Sequence, residues 1–234
     1  MNADKQRVSV YRLLAGAALV AALAFGQAPA QAPDRHPISG RRYAGVMGVG
    51  GADWLVRPER GEEEQPDKAI ALLKIAKGAT VADIGAGNGY ITWRLAERVG
   101  PSGKVYANDI QPEMLRMLRR NMEQRKLNNV ETVLGTIDDP KLPANSLDLV
   151  ILVDVYHELS EPQKMLRKIR EALKADGRLV LLEYRGEDPA VPIRPEHKMT
   201  VAQVKAELEP EGYRVDRVLE DLPRQHILMF KKTS

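Results

Sequence analysis

The chain has 234 residues, 44% hydrophobic, 29% charged and 5% aromatic, a globular balance that excludes disordered, collagen-like and multi-span membrane proteins. It carries 35 basic and 32 acidic residues; Lys5, Arg7 and Arg12 against Asp4 take up most of that excess within residues 1–30, so the rest is nearly neutral and nucleic acid is not expected as a partner. The absence of cysteine excludes disulfides, Cys-ligated zinc, iron–sulfur clusters and a thiol nucleophile, and four histidines scattered at 36, 157, 197 and 226 predict no metal site.

Residues 1–32 read as an export signal. A basic start (Lys5, Arg7, Arg12) precedes an uncharged apolar run of 14 residues, Leu13 to Gly26, and small-x-small sites follow at Ala28-Pro29-Ala30 and Ala30-Gln31-Ala32. A membrane-spanning helix needs about 20 apolar residues, so a cleaved signal is expected ahead of a permanent anchor. The expected location is the periplasm, or the inner membrane if the segment remains as a tether; a wrongly assigned start codon would make the protein cytoplasmic. Residues 33–65 form an irregular arm. Gly40, Gly45, Gly48, Gly50 and Gly51 interrupt any long element, while Tyr43, Val46, Met47, Trp54, Leu55 and Val56 are too apolar for a free linker, so the arm is expected to pack on the body. Glu62-Glu63-Glu64 reads as a solvated helix start.

From Pro66 the pattern is regular and defines a domain over 66–234. Amphipathic spacing predicts helices over 67–76, 90–99, 112–126, 162–173 and 201–209, with Ser160 capping the fourth. Strands are predicted over 80–84, 104–108, 130–134, 147–153, 178–183, 213–219 and 226–231. The run Leu147 to Val153 is almost wholly apolar, as a strand covered on both faces requires. Alternating strands and helices give an α/β doubly wound, seven-stranded, mainly parallel sheet with helices on both faces. The short link from Glu220 to Gln225 favours a hairpin, so the last strand is expected to run antiparallel.

One segment carries chemistry. In Val81-Ala82-Asp83-Ile84-Gly85-Ala86-Gly87-Asn88-Gly89 a strand runs into three glycines and then a helix. Glycines allow a sharp turn and a close backbone approach to a ligand. The next strand ends in Asn108-Asp109, where a carboxylate 20 residues past Gly89 can accept two ribose hydroxyls. Tyr90 breaks both the G-x-G-x-x-G dinucleotide fingerprint and the P-loop pattern. A GxGxG turn with an acid two residues upstream suits a nucleoside lacking a pyrophosphate.

With these landmarks the sequence resembles the class I S-adenosylmethionine-dependent methyltransferases over about residues 66–232. The resemblance rests on VADIGAGNG (81–89), NDIQPEML (108–115), GTIDDPKLP (135–143), SLDLVILVDVYHEL (146–159) and LKADGRLVLLEYR (173–185), in that order. Among subfamilies it is most similar to the small-molecule enzymes of the quinone-methylating UbiE-like type. Arsenite methyltransferases look similar but use cysteines, which this chain lacks. The resemblance implies a Rossmann-like fold, S-adenosylmethionine as cofactor and a small-molecule substrate. It implies that Gly85, Gly87 and Gly89 line the methionine part, that Asp83 steers its ammonium group, that Asp109 binds the ribose and that Ile110 packs on adenine. Asp138, with Ile137 and Asp139 beside it, would hold the adenine edge, and Val153 and Asp154 would flank the sulfonium.

The catalytic candidates follow the fourth strand: Asp154, Tyr156 and His157, with Glu158 next to them. A histidine titrates near working pH and can accept a phenol or enol proton. Glu183, Tyr184 and Arg185 end the fifth strand, from which their side chains can reach the same cleft, and Arg185 suits an anionic substrate. His197 and Lys198 lie in a proline-rich loop that suits a lid, His226 reads as structural, and Trp54 and Tyr43 either cover the substrate or staple the arm. The competing readings are a non-catalytic cofactor-binding or scaffold protein in the periplasm, a nicotinamide-dependent oxidoreductase and a nucleic-acid methyltransferase. An export signal and a cofactor made in the cytoplasm pull against each other, and a tether at the membrane would suit an apolar acceptor.

Overall fold

The computed structural model describes residues 34–233, so the export signal expected at 1–32 lies outside the described residues. The body starts with a 3-10 helix at Val49–Val56 and two short helices, α1 (Arg60–Glu64) and α2 (Pro66–Leu72). Then follow β1 (Thr80–Ile84), α3 (Thr92–Val99), β2 (Lys104–Asp109), α4 (Pro112–Gln124), β3 (Val130–Leu134) and β4 (Leu147–Val153). The chain continues through α5 (Pro162–Ala172), β5 (Leu173–Arg185), β6 (Lys198–Met199), α6 (Val201–Leu208), β7 (Tyr213–Leu219) and β8 (Gln225–Lys232).

The strands form one sheet in the order β3-β2-β1-β4-β5-β8-β7, with β6 added beside β5. β1 to β5 pair in parallel, and β8 runs antiparallel to both β5 and β7. The doubly wound sheet and its reversed last strand are as expected, but among the described residues the strands number eight. The eighth, β6, pairs only Lys198 with Tyr184 and Met199 with Arg185, too short to leave a periodic signature. β5 also starts earlier than predicted. Leu173 pairs with Leu147 and Arg178 with Leu149, so the strand bulges over 174–177 and exposes Ala175 and Asp176.

Period-two alternation buries both faces of the sheet. Ala82, Val150, Leu181 and Phe230 pack under α5 and α6, whereas Val81, Leu149, Val180 and Met229 pack under α2 and α3. Leu118 and Met122 of α4 close on Ala107 of β2. Helix ends differ from the sequence reading where the backbone leaves the helical region. α2 stops at Leu72, and Lys74 takes φ 50°; α4 stops at Gln124, and Lys126 takes φ 56°. Ser160 does not cap α5: the N-cap position falls on Glu161, without a side-chain bond, and Pro162 supplies the preset first turn.

The arm is bound to this frame. Glu207 of α6 is fully buried and accepts hydrogen bonds from Ser39, from Arg41 Nε at 2.8 Å and Nη2 at 3.1 Å, and from the Tyr156 hydroxyl at 2.9 Å. Arg41 Nη1 and the Ala44 amide both donate to the carbonyl of His157, at 2.9 and 3.1 Å.

Candidate active site

β1 lies between β2 and β4, where the chain reverses its direction of winding, and a cavity of about 540 Å³ opens at the carboxyl ends of these strands and β5. Open α/β sheets bind ligands at such a switch point. Gly85, Gly87 and Gly89 take φ of 69°, 55° and 91°, a region that disfavours side chains. A Cβ on Gly85 would lie 2.5 Å from Val155, and one on Gly87 2.8 Å from Leu55 of the arm. These two glycines line the cavity; Gly89 is buried beneath Leu118 and Met122 of α4.

Asp109 ends β2 and fixes the turn. Its Oδ2 accepts the Gly87 amide at 2.9 Å and its Oδ1 the Gln111 amide at 2.8 Å. Each carboxylate oxygen has two acceptor sites, so capacity remains for ribose hydroxyls. Burial raises the Asp109 pKa against the pull of those amides. Ile110 and Val153 line the cavity, as do Thr136 and Ile137. Asp138 is not on the wall; its Oδ1 accepts the Thr136 hydroxyl at 2.7 Å and shapes the loop from behind. Asp83 is also behind the wall. It is buried and accepts the Thr92 hydroxyl at 2.7 Å; burial pushes its pKa up to about 7, opposed by that hydrogen bond and reinforced by Asp109.

The other end of the cavity gathers Asp154, His157, Glu158 and His197. Asp154 takes the left-handed φ of 52° and accepts Gln225 Nε2 on both carboxylate oxygens, at 2.9 and 2.8 Å. Burial, with Glu64 and Glu183 nearby, holds its pKa well above the carboxylate range. His157 is buried, with Nδ1 2.6 Å from Glu183 and Nε2 3.1 Å from His197 Nδ1. Burial lowers its pKa, but the charge and hydrogen bond of Glu183 outweigh that and leave it raised. Burial pushes Glu158 up to about 7, while burial and then His157 lower His197.

Tyr156 does not face this cavity. Its hydroxyl is fully buried against Glu207, and burial with that carboxylate keeps its pKa well above the phenol range, so it anchors the arm and exchanges no proton with the site. Arg185 is also turned away: it binds Glu220 at 2.6 Å and the carbonyls of Glu220, Leu222 and Pro223. Tyr43 packs against Arg41 and His36, and Lys198 donates to the Asp188 carbonyl. His226 is buried in β8. Trp54 lines the cavity.

Sequence reasoning missed a wall built by the arm and α1. Arg57, Arg60 and Glu64 line the cavity, and Glu64 accepts Arg60 Nε at 2.6 Å, Arg57 Nη2 at 2.8 Å and the Tyr184 hydroxyl at 2.8 Å. Glu64 is therefore buried inside an ion network, contrary to the solvated helix start expected for the acidic triplet. The spacing Arg60–Glu64, one helical turn, was the available signal. The second miss is the approach of His157, Glu158 and His197, whose ligand atoms all lie within 4.8 Å of one another. Forty residues separate the two histidines, and only the short β5–β6 pairing brings them together.

A doubly wound sheet with a glycine turn, a ribose-ready carboxylate and a cavity at its switch point defines a nucleoside-cofactor protein of the class I methyltransferase type. Residues 75–221 match the family described as the methyltransferase domain, and the chain belongs to that family, whose cofactor is S-adenosylmethionine. It is 30% identical to a SAM-dependent methyltransferase from Aquifex aeolicus, with a TM-score of 0.75 over 79% of this chain and 98% of that one. It is 32% identical over 111 residues to the ubiquinone/menaquinone biosynthesis C-methyltransferase UbiE of Escherichia fergusonii. That alignment covers 47% of this chain and 44% of UbiE, so it spans less than half the length of the relative. The [4+2]-cyclase SpnF shares the fold at 16% identity and a TM-score of 0.60, over 71% of this chain and 81% of that one.

The residues fit this cofactor. A cavity of about 540 Å³ falls within the range of small-molecule sites. Gly85 and Gly87 line its wall without side chains, and Asp109 keeps acceptor capacity for hydroxyls.

Proposed function

We propose that the protein transfers a methyl group from S-adenosylmethionine to a small-molecule acceptor. The observation that carries this reading is the glycine turn pinned by Asp109 at one end of a cavity whose other end holds His157, Glu158 and His197. Bound S-adenosylmethionine supplies an electrophilic methyl carbon on a sulfonium, ready for in-line displacement. The chain then has to position and shield. Gly85 and Gly87 admit the ligand to the backbone, Asp109 takes the ribose, and Ile110 and Ile137 flank the base. Leu55, Trp54 and Met47 of the arm cover the cavity and exclude water. Alignment of two reactants is worth about 7–11 kcal/mol. An acceptor that must lose a proton does so at the histidine end. The partly satisfied acids Asp154 and Glu158 there favour the positive sulfonium over a neutral product.

An apolar acceptor is supported by the mouth of the cavity, where Val46, Trp54 and Ile137 are each about half exposed (49%, 50% and 52%). The UbiE relative, named for a quinone pathway, agrees with that choice. The basic, apolar start of the chain supports export or tethering at the inner membrane, where such acceptors dissolve.

Calorimetric titration of the full chain with S-adenosylmethionine, with NADH as control, tests the reading. Micromolar affinity for S-adenosylmethionine alone, weakened at least tenfold in Asp109→Asn, is expected. A folded chain that binds neither would sink the enzyme reading and leave the scaffold alternative; NADH binding alone would favour the oxidoreductase.

A further inference from the structure

The three side chains at the acceptor end are arranged for more than proton exchange. We propose that His157, Glu158 and His197 bind one divalent first-row transition-metal ion, which holds the acceptor's oxygen beside the methyl donor. The purpose of the ion rests on the methyl-transfer reading, but its binding is measured without it.

The ligand atoms are already gathered. A ring nitrogen of His157, a ring nitrogen of His197 and a Glu158 carboxylate oxygen lie within 4.8 Å of one another, and His157 Nε2 faces His197 Nδ1. The two nitrogens are 3.1 Å apart. Nitrogens ~2.0–2.1 Å from one tetrahedral zinc stand roughly 3.3 Å apart, so a shift of a few tenths of an ångström admits an ion between them. A proton relay through the histidines would explain that pair but would leave no role for the Glu158 oxygen beside them.

A second observation lies behind His157. Glu183 is fully buried, 2.6 Å from His157 Nδ1, and is itself held by the Tyr156 amide at 2.9 Å. With Nδ1–H given to this carboxylate, His157 turns the lone pair of Nε2 toward the cluster. Metal-binding histidines regularly donate their other ring N–H to a carboxylate in this way. The carbonyl of His157 is further tied by Arg41 and Ala44, so the ligand is fixed from two sides. The remaining coordination positions face the cavity, which all three residues line. Two imidazoles and one carboxylate suit Fe(II), Mn(II), Co(II), Ni(II) or Zn(II) rather than calcium or magnesium.

The ion's chemistry follows from the donor set. A hydroxyl oxygen bound to it loses its proton to solvent near neutral pH, as zinc-bound water does at a pKa of about 7. The electron pair of that oxygen, or of a carbon conjugated with it, forms the new bond to the methyl carbon. The carbon–sulfur bond breaks, and its pair stays on sulfur as a neutral thioether.

Untagged full-length protein, stripped with a chelator and titrated with Co(II), tests the site. One Co(II) per chain with visible d–d bands, displaced by Zn(II), is expected. His197→Ala and Glu158→Ala should weaken Co(II) binding more than tenfold, and Glu183→Gln about 10–100-fold through His157. His197→Ala and Glu183→Gln should keep the affinity for S-adenosylmethionine, and all three variants should keep the circular-dichroism spectrum and the cooperative melt of the parent, which shows that they fold. A chain that binds S-adenosylmethionine but takes up no stoichiometric Co(II) overturns the metal site while the methyl-transfer reading stands. Undiminished Co(II) binding in both alanine variants overturns it as well, because the ion then lies elsewhere.

Discussion

Beneath the arm, the buried Glu207 is surrounded by donors: Ser39, two nitrogens of Arg41 and the Tyr156 hydroxyl, with His36 Nε2 3.3 Å away. Around the cavity the acids are provided for differently. Asp83 has one hydroxyl, Asp154 one amide group, and Glu158 lies among His157 and two further carboxylates, Glu183 and Asp109. Burial lifts the pKa of all three. The first region spends its charges on holding the chain together. The second keeps a deficit of positive charge, which a sulfonium, an ammonium group or a metal ion would fill. Perturbed acids of this kind gather at functional sites because a ligand completes them.

The sharpest way to break this contrast is at Glu207. Glu207→Gln leaves Arg41 buried without a counter-ion and should cost about 3–5 kcal/mol of stability. The checks are urea denaturation and faster proteolysis within residues 34–56.

Asp83 should respond in the opposite sense. Folding raises its pKa from 3.8 to about 7, so its favourable contribution is complete only below the unfolded value and is lost as pH rises through about 7. Asp83→Asn keeps a partner for Thr92 and removes the buried charge. Without cofactor it should stabilise the protein by up to about 4 kcal/mol at pH 8 and hardly at all at pH 4. Thermal melts at the two pH values test this, and equal melting shifts at both would count against the charge deficit. The same variant should bind S-adenosylmethionine more weakly.

Tyr156→Phe separates anchor from catalyst. Losing one buried hydrogen bond to Glu207 should cost about 1–3 kcal/mol in a chemical melt and leave kcat and its pH profile unchanged at temperatures where the variant is folded. A shifted pH profile would restore Tyr156 to the catalytic set. The smallest effect belongs to Arg185→Ala, whose ion pair with Glu220 is partly exposed. The ion pair itself is worth less than about 1 kcal/mol, the lost bonds to the carbonyls of Glu220, Leu222 and Pro223 add to that, and no change in KM is expected; a raised KM would return Arg185 to the substrate.

How much of this was legible in the sequence follows from the range of each interaction. β1, β3, β4 and β7 lie where the apolar pattern put them, because alternation and short apolar runs encode local burial. The glycine turn and Asp109 were readable for the same reason: a strand, three glycines and an acid at the next strand end are local in the chain, and the backbone angles they take require those residue types. The reversed β8 followed from a link too short for a crossover.

What the sequence left open was decided by contacts between distant segments. Tyr156, His157 and Glu158 are consecutive, yet a single 3-10 turn sends Tyr156 to Glu207 and the other two to the cavity. No pattern of polarity separates three polar neighbours by the side to which a turn sends them. Glu64 differs from Glu62, which is exposed, and the half-buried Glu63 only because α1 rotates it toward Arg60 and Tyr184. The meeting of His157 with His197 depends on two residues of β6 finding the end of β5, a pairing too short to be periodic. Seven of the eight strands, their winding and the cofactor turn could be read from the chain, because those rest on burial and backbone freedom within a few residues. Which polar side chains share the cavity was set by long-range contacts, because that depends on where the ends of separate elements meet.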